Sequence, residues 1–441
     1  MRDLFLSAIM LPVILAALGN AYFGVLAWTW ISMMSPHKLA YGFARDLPWA
    51  LMIAITTIIG FVASKQRQPF PKNFLAKLMV VFALWTCVTT AFSLQQPDVV
   101  MPIWEKVMKI QFMLFLTMMV VRGETQIKEL IWVIVCSVGF YGVKGGIFTA
   151  LTGGGQRVWG PPGGFIEGNN ELALALSTIL PLMVYLATQT PRPWVRKALW
   201  GAIGCIMLAI LGSHSRGAFL ALLTMALFLG WNSNKRVLTI VGLSILLALL
   251  VAFMPDNWTN RMETIAGHED NSAQSRLSTW RMLWNLALHN PITGAGFEVG
   301  TRDNWAAYSV DEWNFAYAPH SIYFQALGEH GFVGLFIYIG LGVSAWRLSK
   351  RVEKSVSGDD QFAWVPMLMR MVRVALLAFA TGGAFLGLVN YDLPFYLVAV
   401  VALTDASVRE ARLRAEKAAP ANGMDHAAEH PRPNQGLPLH G

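Results

Sequence analysis

The sequence predicts an all-α fold, a polytopic membrane helical bundle of about 12 transmembrane helices with one long helical loop on the outer side. Of its 441 residues, 55% are hydrophobic and only 14% are charged, whereas soluble domains average roughly 25% charged residues. Apolar runs of membrane-spanning length recur along the chain as far as Ala406. These observations exclude a single water-soluble core.

The first apolar stretch, residues 4–34, is ambiguous because Gly19 and Asn20 divide it into halves, each shorter than the roughly 20 residues that a spanning helix needs. It resembles a signal-peptide core, but no small-residue cleavage site follows before more apolar sequence, so we expect it to be retained. Two arrangements are open: one net crossing of the membrane, or a dip into the membrane and a return.

Apolar runs between polar breaks predict the remaining helices. They lie near residues 47–64, 74–94, 107–121, 127–143, 171–189, 198–212, 217–231, 237–254, 320–346, 374–389 and 394–406. These eleven helices and one crossing in the first stretch give twelve spans, with thirteen as the alternative.

Loop charges predict the sides of the membrane, because cytoplasmic connections carry an excess of Lys and Arg. One alternate set of connections is basic; it holds Lys65, Arg67, Lys72, Lys77, Arg122, Lys128, Arg192, Arg196, Lys197, Lys235, Arg236, Arg347, Lys350, Arg351, Lys354, Arg370 and Arg373. We assign this set and the N-terminus to the cytoplasm. The net charge of +8 therefore reflects membrane sidedness, and we expect membrane lipids as partners and no nucleic acid.

The chain divides into four parts on this basis. Residues 1–254 form an N-terminal transmembrane bundle, 255–319 a long periplasmic loop, 320–408 the C-terminal transmembrane helices, and 409–441 a cytoplasmic tail whose composition predicts disorder. A loop of such length is usually functional or disordered. This one carries five tryptophans, eight acidic residues and four arginines, so we expect it to be ordered and to hold the chemistry.

Within this loop, residues 272–289 have the apolar spacing of an amphipathic helix lying along the membrane surface. Arg276 falls in its first turn, where the helix dipole disfavours a cation unless an anion is close. An anionic ligand would satisfy this requirement; snorkelling to lipid headgroups, or pairing with Glu269 or Asp270, would satisfy it equally. Arg281 on the same helix is a further candidate for substrate contact.

Two more residues lie at outward breaks between helices. Arg216 follows a tight turn that begins at Gly212, and a charge so close to the bilayer either marks a substrate path or anchors to headgroups. His320 follows Pro319 and is expected to open the next helix, where the dipole keeps an imidazole neutral, as a general base requires. For both residues, a structural role at the membrane interface is the alternative.

The glycine-rich outward loop over residues 144–170 supplies the other candidates. Arg157, Asn169 and Asn170 provide polar groups there, and the asparagines are also expected to cap the next span. Ser321, beside His320, is a candidate for substrate contact as well.

Several chemical classes find no support in the sequence. It has no Walker loop, dinucleotide fingerprint, zinc pattern or nucleophile elbow. Cys87, Cys136 and Cys205 lie inside apolar runs, and the acidic pair Asp359-Asp360 lies on the cytoplasmic side. We therefore expect no cofactor, no metal site and no disulfide.

The outward residues resemble the O-antigen ligase family. His320-Ser321 is followed after nine residues by Gly331-Phe332-Val333-Gly334, while Ser215-Arg216-Gly217 and Ser275-Arg276 with Trp280, Pro291, Gly294 and Gly296 are similar to its arginine segments. Over nearly its whole length, the chain resembles one branch of that family, the exosortase A system-associated O-glycosylation ligases. That likeness rests on Ser35-Pro36-His37-Lys38, the 140–146 run and Gly160-Pro161-Pro162.

The resemblance implies a glycosyltransferase of the bacterial inner membrane with its active site facing the periplasm. Such an enzyme moves a glycan from undecaprenyl diphosphate to an acceptor hydroxyl, on lipid A core or on protein, with inversion and without metal or nucleotide. His320 would be the general base, and Arg216 and Arg276 would hold the diphosphate. The sequence leaves two alternatives open: a polymerase of the same superfamily, and a transporter of lipid-linked sugars, although no internal repeat supports the transporter.

Overall fold

The computed structural model describes residues 2–64, 67–231, 242, 271–310 and 317–418, and over these residues the chain is helical, with no strand. The α-helices are α1 (Arg2–Gly19), α2 (Ala21–Met34), α3 (Trp49–Ala63), α4 (Phe74–Ala91), α5 (Pro97–Met118), α6 (Gly123–Leu151), α7 (Asn169–Gln189), α8 (Pro193–Gly212), α9 (Arg216–Trp231), α10 (Asn271–His289), α11 (Arg302–Tyr308), α12 (Ile322–Ser355), α13 (Trp364–Gly383) and α14 (Asp392–Ala418). Apart from residue 242, the helix expected at 237–254 lies outside the described residues.

Helices that could cross a membrane occur throughout the described part of the chain. In the part of the chain that the structure describes, seven helical segments are long and apolar enough to cross a bilayer: α1, α4, α6, α7, α8, α12 and the segment that contains α13. Helices α2, α3 and α9 are apolar but shorter. The chain is thus a multi-pass membrane protein of helical architecture, while the count of about 12 spans stays a prediction.

The first two helices form a hairpin. Asp3 Oδ1 accepts hydrogen bonds from the backbone N–H groups of Gly42 (3.0 Å) and Ala44 (3.2 Å), beyond the end of α2. A Cβ on Gly60, near the end of α3, would lie 2.8 Å from the Leu18 carbonyl oxygen. Helices α1 and α2 therefore run in opposite directions, so that both ends of residues 2–34 lie at the same end of the bundle. This arrangement differs from the expected single net crossing of the membrane.

The helix ends gather into two groups at opposite ends of the bundle. At one end the Gly123 N–H donates to the Ser407 hydroxyl (3.0 Å), and Arg122 pairs with Glu410 at 3.2 Å. We call this the Arg122 end. At the other end the loop residue Val158 donates its N–H to the Gly212 carbonyl. We call that the His320 end, and the α1–α2 hairpin opens onto it.

Two arginines account for one large error in the predicted helix boundaries. The expected span 374–389 is α13, which begins ten residues earlier, at Trp364, and ends at Gly383. Arg370 and Arg373 suggested a loop, but both lie inside the helix. Arg373 is only 5% exposed because the Glu353 carboxylate of α12 pairs with it.

Charged residues inside other helices hid their ends in the same way. Helix α5 begins at residue 97 and not at 107, since Glu105 and Lys109 are paired one turn apart on it. Helix α14 continues past the predicted end at residue 406 to residue 418, and Asp405 pairs with Arg409 within it at 3.0 Å. The first residues of the expected disordered tail are therefore helical, and the remainder lies outside the described residues.

A kink in α12 receives the loop that follows α10. Gly331 has φ +67° and ψ −173°, which interrupts the helical hydrogen-bond ladder. The N–H groups of Ala295 (2.8 Å) and Gly296 (3.0 Å) donate to the carbonyls of Gly328 and Glu329, and the Phe332 N–H donates to a carbonyl of the incoming loop. Backbone groups released by the kink are therefore satisfied, and the loop fixes α10 against α12.

Candidate active site

The segment before α12 is tied to α10 by one tryptophan. Trp280 Nε1 donates to the Pro319 carbonyl oxygen at 3.1 Å. Its indole also stacks on Phe324 of α12, with ring centroids 5.1 Å apart and an interplanar angle of 9°. Because Trp280 lies one helical turn after Arg276, both residues are on the same face of α10. The tryptophan therefore holds the face that carries Arg276 against the residues around His320.

His320 has an uncommon backbone conformation. Its φ is +45°, a left-handed region that costs a residue with a Cβ roughly 1–2 kcal/mol. It precedes the helix, which begins at Ile322 with Ser321 as its N-cap, so the expectation that His320 opens α12 is wrong by two residues. The segment is closely packed there, since a Cβ added to Gly387 would lie 3.6 Å from the His320 backbone nitrogen.

The surroundings of His320 favour the neutral form of its imidazole. Burial and the positive charge of Arg276 both lower the pKa of His320 below its usual 6.5. The neutral form was expected from a helix dipole. The structure assigns the effect to partial burial first and to the neighbouring guanidinium second.

Arg276 has an acidic neighbour that the sequence did not indicate. The guanidinium attracts the carboxylate of Glu171, in the first turn of α7. The expected partners, Glu269 and Asp270, lie outside the described residues. Arg276 thus lies within electrostatic reach of both Glu171 and His320, and it links α7 and α10 to the start of α12.

The turn before Arg216 is held rigidly. The Ser215 hydroxyl accepts the Ala218 N–H at 3.3 Å and so caps α9. His214 has φ +58°, and its Nε2 lies 3.0 Å from the Gly154 carbonyl oxygen. Asn169 Nδ2 donates to the Ser213 carbonyl at 2.7 Å. These contacts place Arg216, at the first residue of α9, beneath the glycine-rich loop.

Phe385 brings the arginine segments together. The position of a Cβ on Gly217, next to Arg216, is 3.7 Å from the Phe385 Cβ. The Phe385 ring also lies 6.2 Å from that of Trp280. The three sequence segments that carry Arg216, Arg276 and His320 therefore meet at one end of the bundle, around the loop that joins α13 to α14.

The predicted substrate contacts have different surroundings. Asn169 is buried on the Ser213 carbonyl, and the Ser321 hydroxyl accepts the Phe324 N–H as the N-cap of α12. Asn170 is partly buried, while Arg157 and Arg281 are exposed. The expected capping of α7 by asparagines is wrong, because its N-cap is Gly168 and no side chain caps that helix.

Two features of this end had no sequence signal strong enough to predict them. Glu171 resembled an ordinary acidic residue in the first turn of a helix. The loop with Phe385 and Gly387 was covered by the predicted helix 374–389. Among the described residues, no three His, Cys, Asp or Glu side chains cluster as metal ligands.

The comparison with known families concerns the part of the chain that contains all three candidates. Residues 200–339 match the family model described as O-Antigen ligase. This match supports an assignment of the chain to the O-antigen ligase family. It supports a membrane enzyme of glycosyltransferase type within the ligase and polymerase superfamily, and it spans Arg216, Arg276 and His320. Residues 1–191 match a family of unknown function (DUF5935). No curated protein matches the chain.

Proposed function

We propose that this protein transfers a glycan from undecaprenyl diphosphate to an acceptor hydroxyl, on lipid A core or on protein, at the periplasmic face of the bacterial inner membrane. The observation that carries the proposal is the meeting of a neutral His320 with Arg276 and the Arg216 turn, inside the segment that matches an O-antigen ligase. We also propose the exosortase A system-associated O-glycosylation branch, on the motifs at residues 35–38, 140–146 and 160–162.

His320 acts as the general base in this proposal. A free nitrogen of the neutral imidazole takes the proton of the acceptor hydroxyl, while the hydroxyl oxygen forms a bond to the anomeric carbon. The bond between that carbon and the diphosphate oxygen breaks on the opposite face, so the configuration inverts. The lowered pKa of His320 favours the form that can accept a proton.

The two arginines bind and stabilise the leaving group. A guanidinium offers paired N–H donors that fit phosphate oxygens and keeps its charge at any working pH. Negative charge grows on the diphosphate as the glycosidic bond breaks, and cations fixed beforehand by a capped turn and a stacked helix stabilise it without reorganisation. Neither step calls for a metal ion or a nucleotide.

An apolar groove could bind the lipid chain of the donor. It has a volume of about 330 Å³, lies between α12, α13 and α14, and begins at Ile322, two residues after His320. Tyr338, Trp346, Phe379 and Phe395 line it further along. A prenyl chain in this groove would leave its diphosphate at the His320 end, which favours a lipid-linked donor over a water-soluble one.

Reconstitution tests the proposal. Purified protein in liposomes is offered an undecaprenyl diphosphate-linked glycan with three separate acceptors: lipid A core, a candidate protein and a second lipid-linked glycan. We expect transfer to lipid A core or to the protein, and weaker transfer together with weaker donor binding in Arg276→Ala. Extension of the second lipid-linked glycan alone would identify a polymerase. Donor translocation without any new glycosidic bond would identify a transporter.

A further inference from the structure

Two lysines from distant parts of the chain meet over the glycine-rich loop at the His320 end. Lys106 Nζ of α5 lies 3.7 Å from the ring centroid of Phe165. Lys38, which follows α2, has its Nζ 3.9 Å from the position that a Cβ on Gly163 would take. The two ammonium charges repel each other. No described residue places a carboxylate oxygen within ion-pair distance of either one.

Two carboxylates lie near this pair of cations, and both are engaged in hydrogen bonds. Asp392, at the start of α14, attracts Lys106, but its Oδ2 accepts the Ser32 hydroxyl at 2.6 Å. Asp392 is only 1% exposed. Glu167 Oε2 likewise accepts the Gly163 N–H at 2.7 Å. An anion between the two ammonium groups would therefore supply the ion pair that neither carboxylate makes with them.

Buried polar atoms without partners surround the same place. Among the residues that the structure describes, the Tyr391 hydroxyl, Asp392 Oδ1 and His37 Nδ1 are buried and make no hydrogen bond. Tyr391 lies beside the Phe165 ring, with centroids 6.1 Å apart, and His37 precedes Lys38. Burying such groups unsatisfied costs roughly 1–3 kcal/mol each, so a ligand with both acceptors and donors would be stabilised here.

This cluster adjoins the candidate active site along two segments. The glycine-rich loop runs from Gly163 and Phe165 to Glu171, which faces Arg276. The loop between α13 and α14 runs from Gly387, beside the His320 nitrogen, to Tyr391 and Asp392. A sugar bound at the lysines would therefore belong to the same glycan or acceptor whose reacting end lies at His320.

We propose that Lys38, Lys106 and the Tyr391 hydroxyl bind the carboxylate or phosphate of an acidic sugar residue, while Asp392 Oδ1 accepts a hydroxyl of that sugar. Phe165, which is partly buried, supplies aromatic surface for its apolar face. The site thus selects a substrate that carries both an anion and hydroxyl donors. This inference rests on the proposed transfer function, and it names the substrate class as an acidic saccharide, on either the donor or the acceptor.

Transfer assays in liposomes test the preference and locate the acid. Matched undecaprenyl diphosphate-linked glycans, with glucuronate or with glucose, are combined with acceptors that do or do not carry a sugar phosphate. For the substrate that carries the acid, we expect kcat/KM to exceed that of its neutral match. The double variant Lys38→Gln/Lys106→Gln should reduce this ratio at least tenfold, because it removes charge-assisted hydrogen bonds.

Three controls keep the outcome interpretable. Lys109→Gln, one turn along α5 and paired with Glu105, should keep the ratio, and so should Lys106→Arg, which retains the charge. An unaltered ratio in the double variant, or an equal loss with neutral and acidic substrates, would overturn the proposal. Thermal unfolding of each variant separates a folding defect from a loss of preference.

A binding measurement separates this inference from the proposed function. Saturation-transfer NMR of the protein in nanodiscs uses a glucuronate-containing oligosaccharide and its neutral glucose match. We expect contact signals from the acidic probe alone and their loss in the double variant, even where no transfer occurs. Equal signals from both probes, or displacement of the acidic probe by phosphatidylglycerol alone, would contradict a saccharide site.

Discussion

At the scale of single residues, the chemistry depends on the protonation state of His320. Burial and the Arg276 charge both lower the pKa of His320 below 6.5, so the neutral imidazole predominates at pH 7. A base is active only in its deprotonated form. The rate should therefore fall on the acidic side as the imidazole gains its proton, at a pH below 6.5.

The pH profile of kcat/KM checks this directly. The wild-type protein should show an acidic limb with an apparent pKa below 6.5, because the two causes act in the same direction. Arg276→Gln should move the limb toward higher pH, since it removes the repelling cation. Arg302→Gln, an exposed arginine in α11, should leave the limb in place. A limb above 6.5, or one that Arg276→Gln does not move, would contradict the assignment.

Patterns around single residues indicated which residues belong to the candidate site, but they did not predict which groups surround those residues. Arg276 stood out because a cation in the first turn of a helix needs an anion, but its neighbour Glu171 is distant in sequence. Asn169 and Ser321 were expected to contact substrate, yet both make hydrogen bonds within the protein. Local spacing cannot reveal the bond from Asn169 to Ser213, because it depends on which helices pack together, whereas the N-cap bond of Ser321 is local.

At the scale of elements, the kink of α12 determines where α10 lies. Gly331 adopts φ +67°, and a Cβ there would lie 2.3 Å from the Ile292 carbonyl oxygen. Another residue at this position would be strained and would push away the loop that follows α10. Arg276 and Trp280 would then lose their position relative to His320.

Gly331→Ala should therefore lower stability by about 1–3 kcal/mol and reduce transfer. Gly340→Ala is a matched control in the same helix, because a Cβ at Gly340 would make only an ordinary contact, 3.6 Å from Leu78 Cδ2, and Gly340 does not line the apolar groove. That change should leave stability equal or slightly higher, since alanine is favoured over glycine inside helices. Thermal unfolding and transfer rates of both variants give the comparison. Equal unfolding temperatures for the two would show that the kink is not required.

Helix positions were predictable wherever the bilayer alone determines them. Apolar runs located about half of the described spans to within a few residues, namely α3, α4, α7, α8 and α9. The errors fell on helices whose charges are neutralised by partners, such as Arg373 with Glu353 in α13. Ion pairing between helices makes a buried charge tolerable, and a single sequence does not show which helices are neighbours.

At the scale of the whole molecule, the α1–α2 hairpin alters the expected topology. Because Asp3 contacts residues 42–44, the structure places the beginning of α1 at the His320 end. The positive-inside pattern had predicted a cytoplasmic N-terminus and twelve spans. Basic residues do gather at the Arg122 end, so we expect the His320 end to face the periplasm.

Labelling with a membrane-impermeant thiol reagent resolves the topology. In a background without the native cysteines, a cysteine at Tyr41, which is 79% exposed, should react from the periplasmic side. An epitope placed before Arg2 should be accessible to antibody from the same side. A cysteine at Ser357, at the Arg122 end, should react only after the membrane is opened. An epitope that is reached only from the cytoplasm would restore the single crossing and contradict the hairpin.

The transfer rate of His320→Ala, measured together with its donor affinity, tests whether the histidine and the two arginines form one catalytic site. We expect the rate to fall by about 10²–10⁴-fold, as for the loss of a general base. The Kd for undecaprenyl diphosphate-linked glycan should change little, because Arg216 and Arg276 remain. Normal turnover in His320→Ala would contradict a catalytic role for this imidazole.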